Sequence, residues 1–158
     1  MLHSGIILLG VILDLLSKWL VVKFLKPIDD LPLWNGVFHL NYHENRGAAF
    51  GIMQDSRWIF LTISTVSIIA MLFYLFSGKS QNKLSNAAIS LIIAGGIGNM
   101  VDRLSLGYVI DFLYFKLIDF AIFNVADSFV CIGAGLLILS LILDIIKEER
   151  EKKRGNAN

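Results

Sequence analysis

Four long apolar runs divide the chain, at residues 5–22, 58–76, 84–101 and 121–143. A helix needs about 20 mostly apolar residues to cross the hydrocarbon core of a bilayer, so each run predicts a transmembrane helix. The second and third runs carry no charge, the fourth carries only Asp127, and the first is broken by Asp14, Ser17 and Lys18. No Lys or Arg precedes the first run, and no small-x-small site follows Val22. It therefore reads as an uncleaved span rather than a signal peptide. The loop at residues 23–57 is too long for a simple connector. Within it, Val37 to His43 alternates, with Phe38, Leu40 and Tyr42 on one face, which predicts a short strand. The expected fold is an α-helical integral membrane protein: four transmembrane helices, a small extracytoplasmic β-sheet resting on the helix ends, and a short interfacial segment. That segment is 27–34, where both prolines fall and Trp34 is a candidate aromatic anchor. A single membrane domain over residues 1–158 is expected.

Composition agrees. Hydrophobic residues make up 56% of the chain and the mean hydropathy is +0.68, which excludes an ordinary soluble domain. The net charge of +1 matters less than where the basic residues fall. Lys147, Arg150, Lys152, Lys153 and Arg154 lie in the C-terminal tail, 147–158, and Lys79 and Lys83 lie between the second and third runs. The positive-inside rule then puts both termini in the cytoplasm and the loops at 23–57 and 104–120 outside. The last dozen residues read as a frayed tail. The one cysteine, Cys131, has no partner for an intrachain disulfide and reads as a small buried hydrophobe.

On that topology the polar groups inside the spans converge. Asp14 and Lys18 share a helix face, as do Asn99 and Arg103. Asn124 and Asp127 fall in the first turns of the fourth span, and Asp111 in the loop before it. Apart from Asp14, one turn deeper, all lie in the outer third of the membrane, where buried ionisable groups are costly and mark function. Simpler roles exist for each: a self-neutralising Asp14–Lys18 pair, a snorkelling Arg103, an Asp102 that caps or solvates its helix end, an Asp127 favoured by the helix dipole. Ser17 and Lys18 do not form a serine–lysine dyad, since adjacent helical residues diverge by about 100°. His39, His43 and Glu44 do not make a metal site: four strand residues separate the histidines by about 13 Å, and no further ligand completes a shell. They read as polar strand residues facing water.

Four blocks carry a resemblance across nearly the whole chain: Asp14-Leu15-Leu16-Ser17-Lys18; Asn45-Arg46-Gly47-Ala48-Ala49-Phe50; Gly95-Gly96-Ile97-Gly98-Asn99-Met100-Val101-Asp102-Arg103, continuing to Asp111-Phe112; and Phe123-Asn124-Val125-Ala126-Asp127-Ser128. In order and spacing they resemble the bacterial lipoprotein signal peptidases, the type II signal peptidases. The resemblance implies an intramembrane aspartic endopeptidase of the bacterial cytoplasmic membrane. Its implied partners are diacylglyceryl-modified preproteins, cut just before the lipidated cysteine, and membrane lipids; no nucleic acid is implied, and a monomer is expected. By position, Asp111 and Asp127 match the catalytic pair, while Asp14, Lys18, Asn45, Gly47, Asn99, Arg103 and Asn124 match residues that bind substrate or shape the site.

The chemistry is consistent with this. Two adjacent carboxyls do not both ionise readily, so one activates water while the other protonates the carbonyl oxygen. Neither step requires a metal or cofactor. Gly47-Ala48-Ala49 and Gly95-Gly96 are expected to admit a close substrate backbone. The competing classes are a small transporter and a non-catalytic assembly factor. The transporter is disfavoured here because no polar group is read on the cytoplasmic half of any span.

Overall fold

The computed structural model describes residues 2–47, 56–77 and 82–155. Ala48, Ala49, Phe50 and Lys79, and the tail beyond Gly155, lie outside the described residues.

Four described helices are long and apolar enough to cross a membrane. Helix α1 spans Leu2–Leu20 and widens into a π-helical turn at Val21–Leu25. Its polarity is inverted relative to a soluble helix. Leu8, Leu9, Ile12, Leu13 and Leu16 are exposed, while Gly10, Asp14 and Lys18 are buried. That is the pattern expected when the outer solvent is hydrocarbon. Helix α2, Arg57–Phe76, buries only a seam of Leu61, Ile68 and Leu75. Helix α3, Lys83–Ser105, is the central element and packs against α1, α2 and α4. Small residues make that possible: a Cβ on Gly10 of α1 would stand 2.7 Å from Ala94 Cβ, and a Cβ on Gly95 would run into the Ala126 carbonyl of α4. Gly95, expected to face a substrate, is therefore spent on helix packing.

Helix α4 covers Val125–Gly155. Its 31 residues give about 46 Å, well beyond the hydrocarbon thickness. The segment expected as a frayed tail is helical as far as Gly155. The helix starts four residues later than the apolar run at 121–143, because the chain before it is extended. Phe123 and Leu113 exchange backbone hydrogen bonds, with N···O of 2.8 and 3.1 Å. Cys131 is exposed on this helix rather than buried.

Three strands form an antiparallel sheet in the order β1 (Asp30–Trp34), β2 (Phe38–Asn45), β3 (Val109–Tyr114). Segment 27–34, expected at the interface, turns and then runs as the edge strand β1; Pro32 is tolerated there because an edge has one free side. Trp34 is exposed, as an anchor would be. The loop expected around Asp111 is strand β3. It begins after Gly107, whose φ of +87° lets the chain reverse from the end of α3. Val21 and Leu25 pack with Ile110 and Phe112, seating the sheet on the end of α1. The β2–β3 register slips between Leu40 and His43, so the two histidines do not keep strict alternation. His43 is exposed, but His39 is buried and does not face water. The Gly36 N–H donates to its Nε2 (3.2 Å), which leaves Nδ1 to donate to Asp30 (2.9 Å).

The end of the bundle away from the sheet is not free of polar groups, contrary to the reading of the sequence. Asn82 caps α3, and its Nδ2 donates to Ser140 Oγ (2.7 Å) and Asp144 Oδ2 (2.9 Å) of α4. Ser85 Oγ donates to Ser140 Oγ at 2.9 Å. These bonds tie α3 to α4 and stay local to that end.

Candidate active site

The sheet end of the bundle gathers every polar residue singled out in the sequence. Asp111 is held on β3, a strand fixed on one side by β2 and on the other by Phe123. Asp111 is 1% exposed. Asn124 Nδ2 donates to its Oδ1 (2.7 Å) and Asn45 Nδ2, at the end of β2, to its Oδ2 (2.8 Å). Asp127 lies in the first turn of α4. Its Oδ1 accepts from Asn99 Nδ2 of α3 (2.7 Å) and its Oδ2 from the Asn124 backbone N–H (3.1 Å). Asn124 in turn accepts the Asp127 N–H on Oδ1 (2.9 Å). That reciprocal pair is a capping box built from Asn and Asp. The helix-terminal role considered for Asp127 is therefore real, and it coexists with the site.

Burial first, and then the neighbouring Asp127 carboxylate, push the Asp111 carboxyl up to about 7, against the pull of the Asn45 and Asn124 amides. Asp127 has the dipole of α4 behind it and charged support from α3. Arg103 does not snorkel. Its Nη2 donates to the Gly47 carbonyl (3.1 Å) and its guanidinium lies over the Phe60 ring at 4.9 Å.

A cavity of about 800 Å³ opens against this pair. Asn45, Asn99, Arg103, Asp111 and Asp127 reach it, and its apolar wall comes from α2 (Phe60), α4 (Val130, Cys131, Ile132) and the aromatic return (Phe115, Phe120, Phe123). Ser64 and Gly96 complete the side facing α2 and α3. Asp14, Lys18, Gly47 and Asn124 do not line it. Asp14 and Asn124 are fully buried and Lys18 nearly so. These residues shape the site from behind.

One member was missed in the sequence. Asp102, expected to cap or solvate the end of α3, is buried, lies 2.9 Å from Lys18 Nζ, and accepts the Ile110 N–H at 3.1 Å. The signal was present: Asp102 is three residues after Asn99 and so shares its helix face. Lys18 contacts Asp14 (2.8 Å), Asp102 and Asn99 Oδ1 (3.1 Å), so its partners are protein groups rather than a lipid.

Membrane-length helices bring Asp111, which is buried, and Asp127, which is half-buried, onto donors of one residue, Asn124, at the wall of an apolar cavity. Residues 6–143 match the family described as signal peptidase (SPase) II. A lipoprotein signal peptidase of Halalkalibacterium halodurans is 38% identical over 154 residues, 96% of this chain and 99% of that protein. One from Brevibacillus brevis is 46% identical over 133 residues, 84% of this chain and 89% of that one. Two solved structures, each described as a bacterial membrane enzyme structure obtained by the in meso method, superpose closely. The first has a TM-score of 0.83 at 32% identity, covering 90% of this chain and 88% of its own. The second has a TM-score of 0.79 at 33% identity, covering 88% and 91%. The chain belongs to the signal peptidase II family. With that, the transporter and assembly-factor alternatives fall away.

Proposed function

We propose that Asp111 and Asp127 are the catalytic pair with which this aspartic peptidase cleaves prolipoprotein signal peptides. One observation carries the assignment: Asn124 bonds both carboxylates at once, through its side-chain amide to Asp111 and its backbone N–H to Asp127. Two carboxyls held on one residue form a coupled pair that shares a proton. Asp111, the more deeply buried and raised toward neutrality, holds that proton. Asp127, at the helix N-terminus, is the base and takes a proton from water as the water attacks the scissile carbonyl. Asp111 donates to the carbonyl oxygen; Asp127 then passes the proton it took from water to the leaving amine as the C–N bond breaks, and the collapsing intermediate returns a proton to Asp111.

The substrate is a preprotein whose cysteine already carries a diacylglyceryl group. The acyl chains stay in the bilayer and fix the depth of the cysteine, which holds the scissile bond level with the pair. The apolar cavity wall of Phe60, Val130 and Ile132 suits a hydrophobic signal segment. Basic residues Lys147, Arg150, Lys152, Lys153 and Arg154 at the far end of α4 favour a cytoplasmic C-terminus, with the site and sheet at the outer face of the bacterial cytoplasmic membrane. The enzyme works as one membrane domain and as a monomer, among membrane lipids.

The test is processing of a purified diacylglyceryl-modified prolipoprotein by wild type, Asp111→Asn and Asp127→Asn, each checked for folding in detergent. Both variants are expected to lose at least about 100-fold in rate. Near-normal activity in either would overturn the pair. Equal rates on lipidated and unlipidated substrate would overturn the depth argument.

A further inference from the structure

Three charged groups behind the pair form one buried unit. The Lys18 ammonium lies 2.8 Å from Asp14 Oδ2 and 2.9 Å from Asp102 Oδ2, as ion pairs, and donates to Asn99 Oδ1 at 3.1 Å. Beyond the ammonium, each carboxylate holds a backbone amide. Asp14 Oδ1 accepts the N–H of Ala126 at 2.9 Å, and Asp102 Oδ2 accepts the N–H of Ile110 at 3.1 Å. Ala126 is the residue before Asp127, and Ile110 is the residue before Asp111. One carboxylate therefore grips the peptide leading into each aspartate, and one ammonium ties the two carboxylates together.

We propose that Asp14, Lys18 and Asp102 form a clamp that sets the separation and relative angle of Asp111 and Asp127, with Asp102 as its positioning residue on the β3 side. This rests on the assignment of the pair given above. β3 and the start of α4 belong to different layers of the molecule, and the clamp joins them through α1 and α3. No substrate reaches it: Asp14 is fully buried, and Lys18 and Asp102 are nearly so. Its effect is on geometry, where a displacement of about 1 Å can lower a rate by about 100-fold.

The oxygens involved make the proposal sharp. At Asp102 the Ile110 hydrogen bond and the ammonium contact both end on the single oxygen Oδ2, so an asparagine with its carbonyl in that place keeps both. At Asp14 the Ala126 hydrogen bond and the ammonium contact use different oxygens, so an asparagine must turn its NH2 toward either the ammonium or the Ala126 N–H, and loses one. Asp14→Asn and Asp102→Asn remove the same charge from the same cluster. A role limited to charge or bulk stability would make them alike.

The experiment measures kcat and KM on a diacylglyceryl-modified prolipoprotein for full-length wild type, Asp14→Asn, Asp102→Asn, Asp102→Leu and Asp111→Asn, with thermal stability in the same detergent. Asp102→Asn is expected to keep kcat within about threefold. Asp14→Asn and Asp102→Leu are expected to lose about 10–100-fold in kcat, with KM within about twofold. Where Asp14→Asn does not fold, the Asn and Leu variants of Asp102 decide. A folded Asp102→Asn that loses more than about tenfold in kcat overturns the clamp, as does Asp102→Leu with wild-type kcat. Activity in Asp111→Asn would instead overturn the assignment of the pair.

Discussion

Asn124 and Asp127 cap each other: the Asn124 N–H donates to Asp127 Oδ2 and the Asp127 N–H to Asn124 Oδ1. The device that starts helix α4 is thus the device that aims the Asp127 carboxylate. Because Asn124 Oδ1 is taken by the cap, its Nδ2 must face the other way, toward Asp111 Oδ1 and Asn99 Oδ1. Helix start and the orientation of both carboxylates are one hydrogen-bond problem, solved by one residue.

Asn124→Ala is expected to damage stability and activity together. Loss of the cap costs about 1 kcal/mol. Leaving the buried Asp111 acceptor without that donor costs about 1–3 kcal/mol more. Thermal unfolding in detergent should show the loss, with kcat down by about 100-fold because Asp111 loses an orienting bond. A variant with lowered stability and unchanged kcat would make Asn124 a cap alone.

Gly98 is expected to tolerate no side chain. A Cβ there would run into the Asp14 carboxylate and come within 3.3 Å of Ala126 Cβ. Gly98→Ala should destabilise the protein by about 1–3 kcal/mol through overpacking and displace Asp14 from the Ala126 N–H. Gly135→Ala, on the same bundle with nothing within 4 Å, is the control and should be neutral. Equal melting temperatures for the two variants would refute close packing at Gly98.

Much of this site was legible in the sequence, and the exceptions have physical causes. Helical spacing gave the Asp14–Lys18 pair and the shared face of Asn99 and Arg103, because an α-helix repeats on a fixed local period. Strand β1 and the strand character of Asp111 were not legible, since strand pairing joins residues far apart in sequence and Pro32 argues locally against a strand. The later start of α4 was hidden because Ala121-Ile122-Phe123 is as apolar as the helix that follows. Cys131 and His39 were misplaced for opposite reasons. In a membrane the exposed surface is apolar, so a small hydrophobe need not be inside; and a histidine given Asp30 and the Gly36 N–H as partners can be buried. The tie of Asn82 and Ser85 to Ser140 and Asp144 depends on α3–α4 contact, which no local pattern announces.

The pH dependence of kcat/KM should report the pair. Asp111 must be protonated to donate, and its carboxyl is pushed up to about 7. Activity is therefore expected to fall as pH rises through about 7. A profile flat from pH 5 to 9, with substrate and detergent unchanged, would refute the assignment of the proton to Asp111.

The same raised carboxyl makes a prediction for stability, and its sign is opposite to that of an ordinary salt-bridged aspartate. The Asp111 carboxyl binds its proton more tightly in the folded protein, at about 7, than in the unfolded chain, where the ordinary value is 3.8. Between those values the folded state holds more protons than the unfolded state, so stability falls as pH rises through that window. The full cost, on the order of a few kcal/mol, is present above about pH 7, where an ionised carboxylate stays buried beside Asp127. Asp111→Asn removes the ionisation while retaining an acceptor for one of the two amides. It is expected to be inactive, to match wild type in stability near pH 4, and to become more stable than wild type as pH rises above 7. Unfolding in detergent across pH 4–9 checks this: a constant difference between the two proteins would show that burial of the Asp111 charge places no load on the fold.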